Sequence, residues 1–282
     1  MKTKNTIPFA LLVFVFCSCG SFTELQSQPQ GRVDMQMFYD QLSPYGHWFE
    51  YPPHGYAWRP NVGGDFVPYR SNGHWAWSEE YEWIWVSDYP WGWAPFHYGR
   101  WHFDNQLNWI WVPGYEWSPA WVTWRSNSDY YGWAPLDIGI TVGFSLNNYN
   151  PPSFYWNFVS GNALHNKDLK RYYINRNQNQ DFFRKTQPLF RDDRRGAPSN
   201  QRRSFQFYFG GPVKSEYEQR SRINLKPVRI RESDRPGQSR QNQNEIKIYK
   251  PPIYQNPGGN AKPKTISPME VLKKKIERKP RG

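Results

Sequence analysis

The chain has 282 residues, a formal net charge of +12, 16 Trp, 19 Tyr, 18 Phe and only 2 Cys. Aromatics at 19% are too many for a wholly unstructured chain, while a mean hydropathy of −0.91 is too polar for a protein with many membrane spans. Two cysteines exclude a disulfide-rich scaffold and a four-cysteine zinc site.

Lys2 and Lys4 precede an apolar run from Ile7 to Phe16, which is too short for a stable membrane-spanning helix. The run ends in Phe16-Cys17-Ser18-Cys19-Gly20. This resembles a bacterial lipobox, with small Ser18 before Cys19 and Gly20 after it, although Phe16 departs from the usual Leu. The resemblance implies a lipoprotein signal peptide over 1–18 and a lipid on Cys19. Acyl chains contribute about 0.8 kcal/mol per buried CH2 and would hold a soluble domain on a membrane. No Asp follows Cys19, so the resemblance to sorting rules implies the outer membrane, facing the periplasm. Residues 19–39 read as a tether.

Three units then align without a gap. They run from Gly46-His47-Trp48 to Trp58, from Gly73-His74-Trp75 to Trp85, and from Gly99-Arg100-Trp101 to Trp111. The units span 46–72, 73–98 and 99–136, with an insertion around 113–128. Alternation along a strand puts Trp75 and Trp77 on one face, and Trp83 and Trp85 likewise. Folding across five-residue loops opposes Trp48 with Trp58, Trp75 with Trp85, Trp77 with Trp83, Trp101 with Trp111 and Phe103 with Trp109. The other face carries Ala76, Ile84, Val86, Ile110 and Val112, so the strands are expected to lie between layers. Each unit is followed by an aromatic-small-Pro step: Phe66-Val67-Pro68, Trp93-Ala94-Pro95 and Trp133-Ala134-Pro135. Each step is expected to end a third strand, because Pro cannot donate to a central ladder. The expected fold class is all-β: about nine strands in tandem antiparallel hairpins or meanders over 40–145, sandwich- or barrel-like.

The Gly-His-Trp, Trp-Ile-Trp-Val (83–86 and 109–112) and Tyr-Gly-Trp-Ala-Pro-Leu (131–136) elements resemble a family of Trp-rich exported proteins of Gram-negative bacteria, of uncharacterised function. That family tends to continue with an aromatic Phe-Val segment and a basic helix, matched here by 155–159 and 168–172. The resemblance covers about 40–185 and implies no reaction, cofactor or substrate.

Gly139 to Phe144 alternates like one more strand, and a short helix is expected over 161–174, within an extension (146–175) packed on the domain. All 16 Trp lie between Trp48 and Trp156, and residues 1–159 carry 7 Lys+Arg against 13 Asp+Glu. Residues 160–282 carry 29 against 11, so the excess of positive charge belongs to the second half. From 176 the composition turns to Arg, Asn, Gln, Pro, Ser and Gly, which predicts a mostly disordered basic tail over 176–282. Ser267-Pro268-Met269-Glu270 is a capping-box pattern that predicts a helix over 267–279. For an exported chain the partners expected of this tail are anionic lipid headgroups, lipopolysaccharide or peptidoglycan, not nucleic acid.

Chemical motifs are sparse. His47, His54, His74, His97, His102 and His165 show no metal-ligand spacing. Glu79, Glu80 and Glu82 suggest a carboxylate pair for glycan hydrolysis, and a hydrolase would use Glu79, Glu80 or Asp104. The repeat weakens that reading, since Asn105, Gln106 and Asn108 are the equivalents of Glu79, Glu80 and Glu82. No nucleophile motif or phosphate loop is present, and no cofactor is expected. The Trp residues read as core, or alternatively as a sugar-stacking platform for glycan or peptidoglycan. Trp91, Trp93, Trp117, Trp121 and Trp133 lie outside the paired strands and are the candidates for it. The reading these features favour is a non-enzymatic, lipid-anchored envelope protein.

Overall fold

Hairpin register follows from the Trp spacing. A computed structural model describes residues 34–140, 149–189, 211–237, 239–242, 244–254 and 260–277. The signal segment, Cys19, the tether as far as residue 33 and residues 141–144 of the strand expected from Gly139 lie outside them. Strands β1 (Gly46–Glu50) and β2 (Tyr56–Pro60) pair Trp48 with Trp58. Strands β3 (Gly73–Ser78) and β4 (Glu82–Ser87) pair Trp75 with Trp85 and Trp77 with Trp83. Strands β5 (Arg100–Asp104) and β6 (Asn108–Val112) pair Trp101 with Trp111 and Phe103 with Trp109. All of these pairs match the expected register.

The second and third hairpins pair Ser78 with Glu82 and Asp104 with Asn108, which leaves three-residue loops where five were expected, but all three turns share one backbone feature. Gly55, Glu82 and Asn108 occupy equivalent positions, and all three have positive φ, at 79°, 57° and 63°. Asn and Gly tolerate this region, while Glu does so at a cost of roughly 1–2 kcal/mol. Glu82→Gly is therefore expected to raise stability by about 0.5–1 kcal/mol, after Gly's larger entropy loss is deducted. A urea midpoint unchanged or lower in that variant would contradict this. The glycines that open the first two units have another role. A Cβ on Gly46 or Gly73 would strike the indole of Trp58 or Trp85, so their absent side chains let the second Trp lie against the first strand.

The third-strand expectation fails in the first two units and holds only in part in the third, where the step ends a strand that belongs to a separate sheet from β5 and β6. Trp133-Ala134-Pro135 ends β8 (Tyr130–Pro135), which pairs with β7 (Val122–Ser126) inside the insertion. Phe66-Val67-Pro68 and Trp93-Ala94-Pro95 lie outside strands, in turn and loop segments that fold inward and bury Phe66, Val67, Trp93 and Ala94. Strands β9 (Asn157–Ser160) and β10 (Gln187–Pro188) complete a sheet of order β10-β7-β8-β9. The first and third hairpins join through Trp58 and Trp111 into a sheet of order β1-β2-β6-β5, while β3 and β4 form a two-stranded sheet. The structure is thus all-β, built as several sheets, antiparallel but for one parallel pair in the tail, around an aromatic core.

Helix α1 (Met35–Leu42) starts where a tether was expected. Asp34 caps it by accepting from the Gln36 N–H at 2.9 Å. Its Phe38, Tyr39 and Leu42 are buried, and the carbonyls of Tyr39 and Leu42 accept the indole N–H groups of Trp48 and Trp58. The helix expected over 161–174 is instead a series of turns with one 3-10 segment, Leu169–Tyr172. Ala163 and Asn166 bond three residues back, which keeps Ala163, Leu164 and Leu169 on the core.

The described parts of the basic tail carry more structure than their composition suggests. Helices α2 (Asn179–Lys185) and α3 (Lys214–Ser221) bury Phe182 and Tyr217. Strands β11 (Arg229–Glu232), β12 (Arg240–Asn242) and β13 (Glu245–Ile248) form a sheet of order β11-β13-β12, with β11 and β13 parallel. Its Ile246 and Ile248, with Val228, cover Ala76, Ile84 and Val86 on the outer face of the second hairpin. Helix α4 (Pro268–Glu277) carries the expected capping box, with reciprocal Ser267 and Glu270 bonds. Its Val271 covers Phe49, Ala57 and Ile110. These are the layers that strands apolar on both faces require.

Tail segments also meet the exposed strand edges. Gln187 and Pro188 pair with β7, Val228 N–H donates to Trp77 O at 2.8 Å, and Ile266 N–H donates to Trp48 O at 3.0 Å. Covered edges are protected from pairing with other chains. Among the described residues no helix is long and apolar enough to cross a membrane.

Candidate functional site

Four of the five Trp proposed as an exposed platform are core. Trp91, Trp93, Trp121 and Trp133 are 3%, 2%, 1% and 0% exposed. Trp91 stacks on Tyr89 and Phe96, with centroids 4.3 and 5.7 Å away. Trp93 packs against Phe38 and Tyr249. Trp121 donates to His97 O at 2.9 Å and lies under the Arg100 guanidinium. Trp133 donates to Tyr69 O at 2.7 Å. Trp117 alone is half-buried, but His97 is stacked 5.5 Å from it and Tyr81 and the Lys250 ammonium pack on it as well. The physical reason is enclosure. Inward-folded connections and the tail supply more burying surface than one small sheet could, so the platform expectation is corrected.

The candidate carboxylates separate. Asp104 Oδ1 accepts the N–H groups of Gln106 and Leu107, both at 2.8 Å, and so closes its own hairpin loop. Its other oxygen accepts from the Tyr51 hydroxyl at 3.3 Å. Glu79 and Glu80 are exposed and line a cleft of about 730 Å³ with Arg229 and Glu245. The far wall is tail, so the repeat alone could not reveal this cleft. Lys214 approaches Glu79 at 3.7 Å, and Arg231 pairs with Glu245 at 2.7 Å.

A polar cluster went unnoticed in the sequence. His102 Nδ1 lies 2.6 Å from Asp137 Oδ1, and the Tyr155 hydroxyl donates to Asp137 Oδ2 at 3.2 Å. The hydrogen bond to Asp137 raises the His102 pKa above the usual histidine value. The signal available was a break in the repeat, since His102 stands where the earlier units have Phe49 and Ala76. His97 behaves oppositely. Burial holds its pKa down at about 4, and its Nδ1–H donates to Ser118 O at 3.0 Å. His74 and His165 are also lowered by burial.

These shifts fix a sign. Between pH 6.5 and about 4 the unfolded chain protonates His97 while the folded chain does not, so stability falls with acidification across that window. The loss reaches roughly 3 kcal/mol for a shift of that size. His102 contributes the reverse slope: its stabilisation is complete below the unfolded value and is lost as pH rises through its raised value. The urea midpoint is expected to drop between pH 6.5 and 4 and to drop less in His97→Asn. An equal slope in that variant would assign the effect elsewhere.

A second cleft, of about 370 Å³, shares Val228 and Asn244 with the first and is lined in part by residues from 223 to 228. Its lining includes Trp77, Leu225 and Val228, together with His165, Lys167 and Lys226. Among the described residues no three His, Cys, Asp or Glu side chains group as metal ligands. Residues 39–140 match the model of a family of unknown function, DUF6600. That match spans the second half of α1, from Tyr39, and all four Trp hairpins, but neither the clefts' tail walls nor the tail sheet. No curated protein and no solved structure matches the chain.

Proposed function

We propose that this protein is a non-enzymatic, lipid-anchored protein of the cell envelope. Cys19 would hold it on the outer membrane, facing the periplasm, and its basic chain would engage an anionic envelope component such as peptidoglycan or lipopolysaccharide. The observation that supports this most is the two-sided tail sheet. One face buries Ile246 and Ile248 on the second hairpin, while Arg229, Arg231 and Lys247 are exposed. Arg231 and Lys247 are directly paired across the ladder, and Glu245 on the same face pairs with Arg231 at 2.7 Å, so Arg229, Arg231 and Lys247 stand against one carboxylate and the face is cationic on balance. Such a fixed cationic face attracts anionic polymers in a salt-dependent way.

The test is pull-down of the full chain on purified peptidoglycan and on lipopolysaccharide vesicles. Retention that disappears in Arg229→Glu/Arg231→Glu/Lys247→Glu supports the reading; unchanged retention removes this face from it. Labelled palmitate incorporation that persists in Cys19→Ala would refute the anchor site. The second reading, a glycan hydrolase, draws on Glu79 and Glu80 sharing the larger cleft. It predicts glycan cleavage by the native chain that is lost in Glu79→Gln/Glu80→Gln, and absence of cleavage by the native chain ends it.

A further inference from the structure

We propose that the 370 Å³ cleft binds one sugar residue carrying a carboxylate. The volume lies at the small end of ligand sites, of the order a monosaccharide needs. Charge is the first argument. Lys167 and Lys226 line the cleft and are exposed; among the described residues neither pairs with a carboxylate and no Asp or Glu lines the cleft. The larger cleft, which shares Val228 and Asn244 with it, carries Glu79, Glu80 and Glu245 against Arg229. An anion is thus favoured in the smaller cleft over the larger, where carboxylates outnumber the cation.

Shape chemistry is the second argument. Asn224 and Asn244 also line the cleft, and each amide offers both donors and an acceptor to ring hydroxyls. Trp77, Leu225 and Val228, 7%, 5% and 8% exposed, give it a narrow apolar edge that can meet part of the C–H face of a pyranose but is no stacking platform. A free phosphate would use the lysines but leave this edge empty. Rigidity is the third. The Val228 N–H bond to Trp77 O fixes one wall, His74 and Gln241 meet at 2.7 Å, and the Tyr217 hydroxyl holds His165 Nδ1 at 2.7 Å. Preformed walls lower the ordering cost of binding. The envelope reading enters only as the source of the sugar, and the exposed face of the tail sheet takes no part.

Calorimetric titration of the full chain with N-acetylmuramic acid, glucuronic acid, N-acetylglucosamine and inorganic phosphate tests this. One or both acids are expected to bind about tenfold tighter than the neutral sugar, a difference of about 1.4 kcal/mol. Binding of N-acetylmuramic acid alone points to peptidoglycan as the source, and glucuronic acid to an acidic polysaccharide. Lys167→Glu/Lys226→Glu, both at exposed positions, is expected to weaken the acid about tenfold or more. Arg229→Glu/Arg231→Glu/Lys247→Glu is expected to leave it unchanged, which separates this proposal from retention on polymer. Equal binding of acid and neutral sugar, phosphate binding as tight as the acids, no binding of either acid, or indifference to the double lysine variant would each overturn it.

Discussion

Replacing Trp75 by alanine is expected to lower stability by about 3–5 kcal/mol, a large share of a typical domain's total. Trp75 is fully buried where two sheets meet. Its ring lies 5.3 Å from Trp85, 4.7 Å from Trp124 and 5.7 Å from Trp133, and is parallel to Tyr69 within 7°. The cavity would therefore open at the joint between the second hairpin and the β7–β8 hairpin, where several rings have no alternative partner. A finer comparison separates packing from hydrogen bonding. Trp133, equally buried, donates to Tyr69 O, whereas the Trp75 indole N–H has no partner among the described residues. Trp133→Phe leaves a buried carbonyl short of a donor and is expected to cost about 1–3 kcal/mol more than Trp75→Phe, which removes an unmet donor. Denaturant unfolding followed by circular dichroism reads both. Equal costs would mean that the Trp75 N–H is satisfied after all.

Much of this core was legible. Trp75, Trp77, Trp83 and Trp85 at i and i+2 on both arms admit one antiparallel register, the ten-residue Trp spacing carries it to the other units, and Trp48, Trp75 and Trp101 face Trp58, Trp85 and Trp111 as that register requires. Apolar residues on the second face announced a covering layer, but the sequence did not say what supplied it. The answer lay in sparse apolar positions within charged surroundings: Val228, Ile246, Ile248 and Val271. Read by composition, these are too few to fold. Read against a surface that already needs covering, Ile246 and Ile248 are an alternating strand. The same omission misplaced the platform Trp, because a chain judged to have one small core leaves Trp91 and Trp133 nowhere to go but outward. It also hid both clefts, since each takes one wall from the hairpins and another from the tail. Asp104 could have been recognised earlier, because its equivalent Ser78 caps the second loop, through the Tyr81 N–H, as Asp104 caps the third.

A chain ending at residue 210 is accordingly expected not to fold cooperatively. Composition predicts the opposite, that such a truncation removes only solvated linker. The structure has Phe49, Ile84, Val86 and Ile110 essentially inaccessible beneath segments that the truncation removes. Exposing four such side chains costs at most about 6–12 kcal/mol, which is comparable to a whole domain's stability. Two further losses come with it: the Trp83 indole donates to Pro212 O, and Tyr217 packs on Trp83 and Tyr131. The truncated chain is expected to bind a hydrophobic dye and to lack a sharp melting transition. Because deletions can fail for many reasons, neighbouring positions of β13 supply the sharper comparison. Ile246→Asp places a charge in the buried interface and is expected to cost more than about 4 kcal/mol. Lys247→Asp, one residue on and exposed, is expected to change stability by no more than about 0.5 kcal/mol. Similar effects at the two positions, or an unchanged melting temperature in the truncated chain, would mean that the tail sheet does not cover the second hairpin. The opposite result would establish that the basic half of the chain is held in place by the Trp-rich half it stabilises, and that its charge is displayed from a fixed surface.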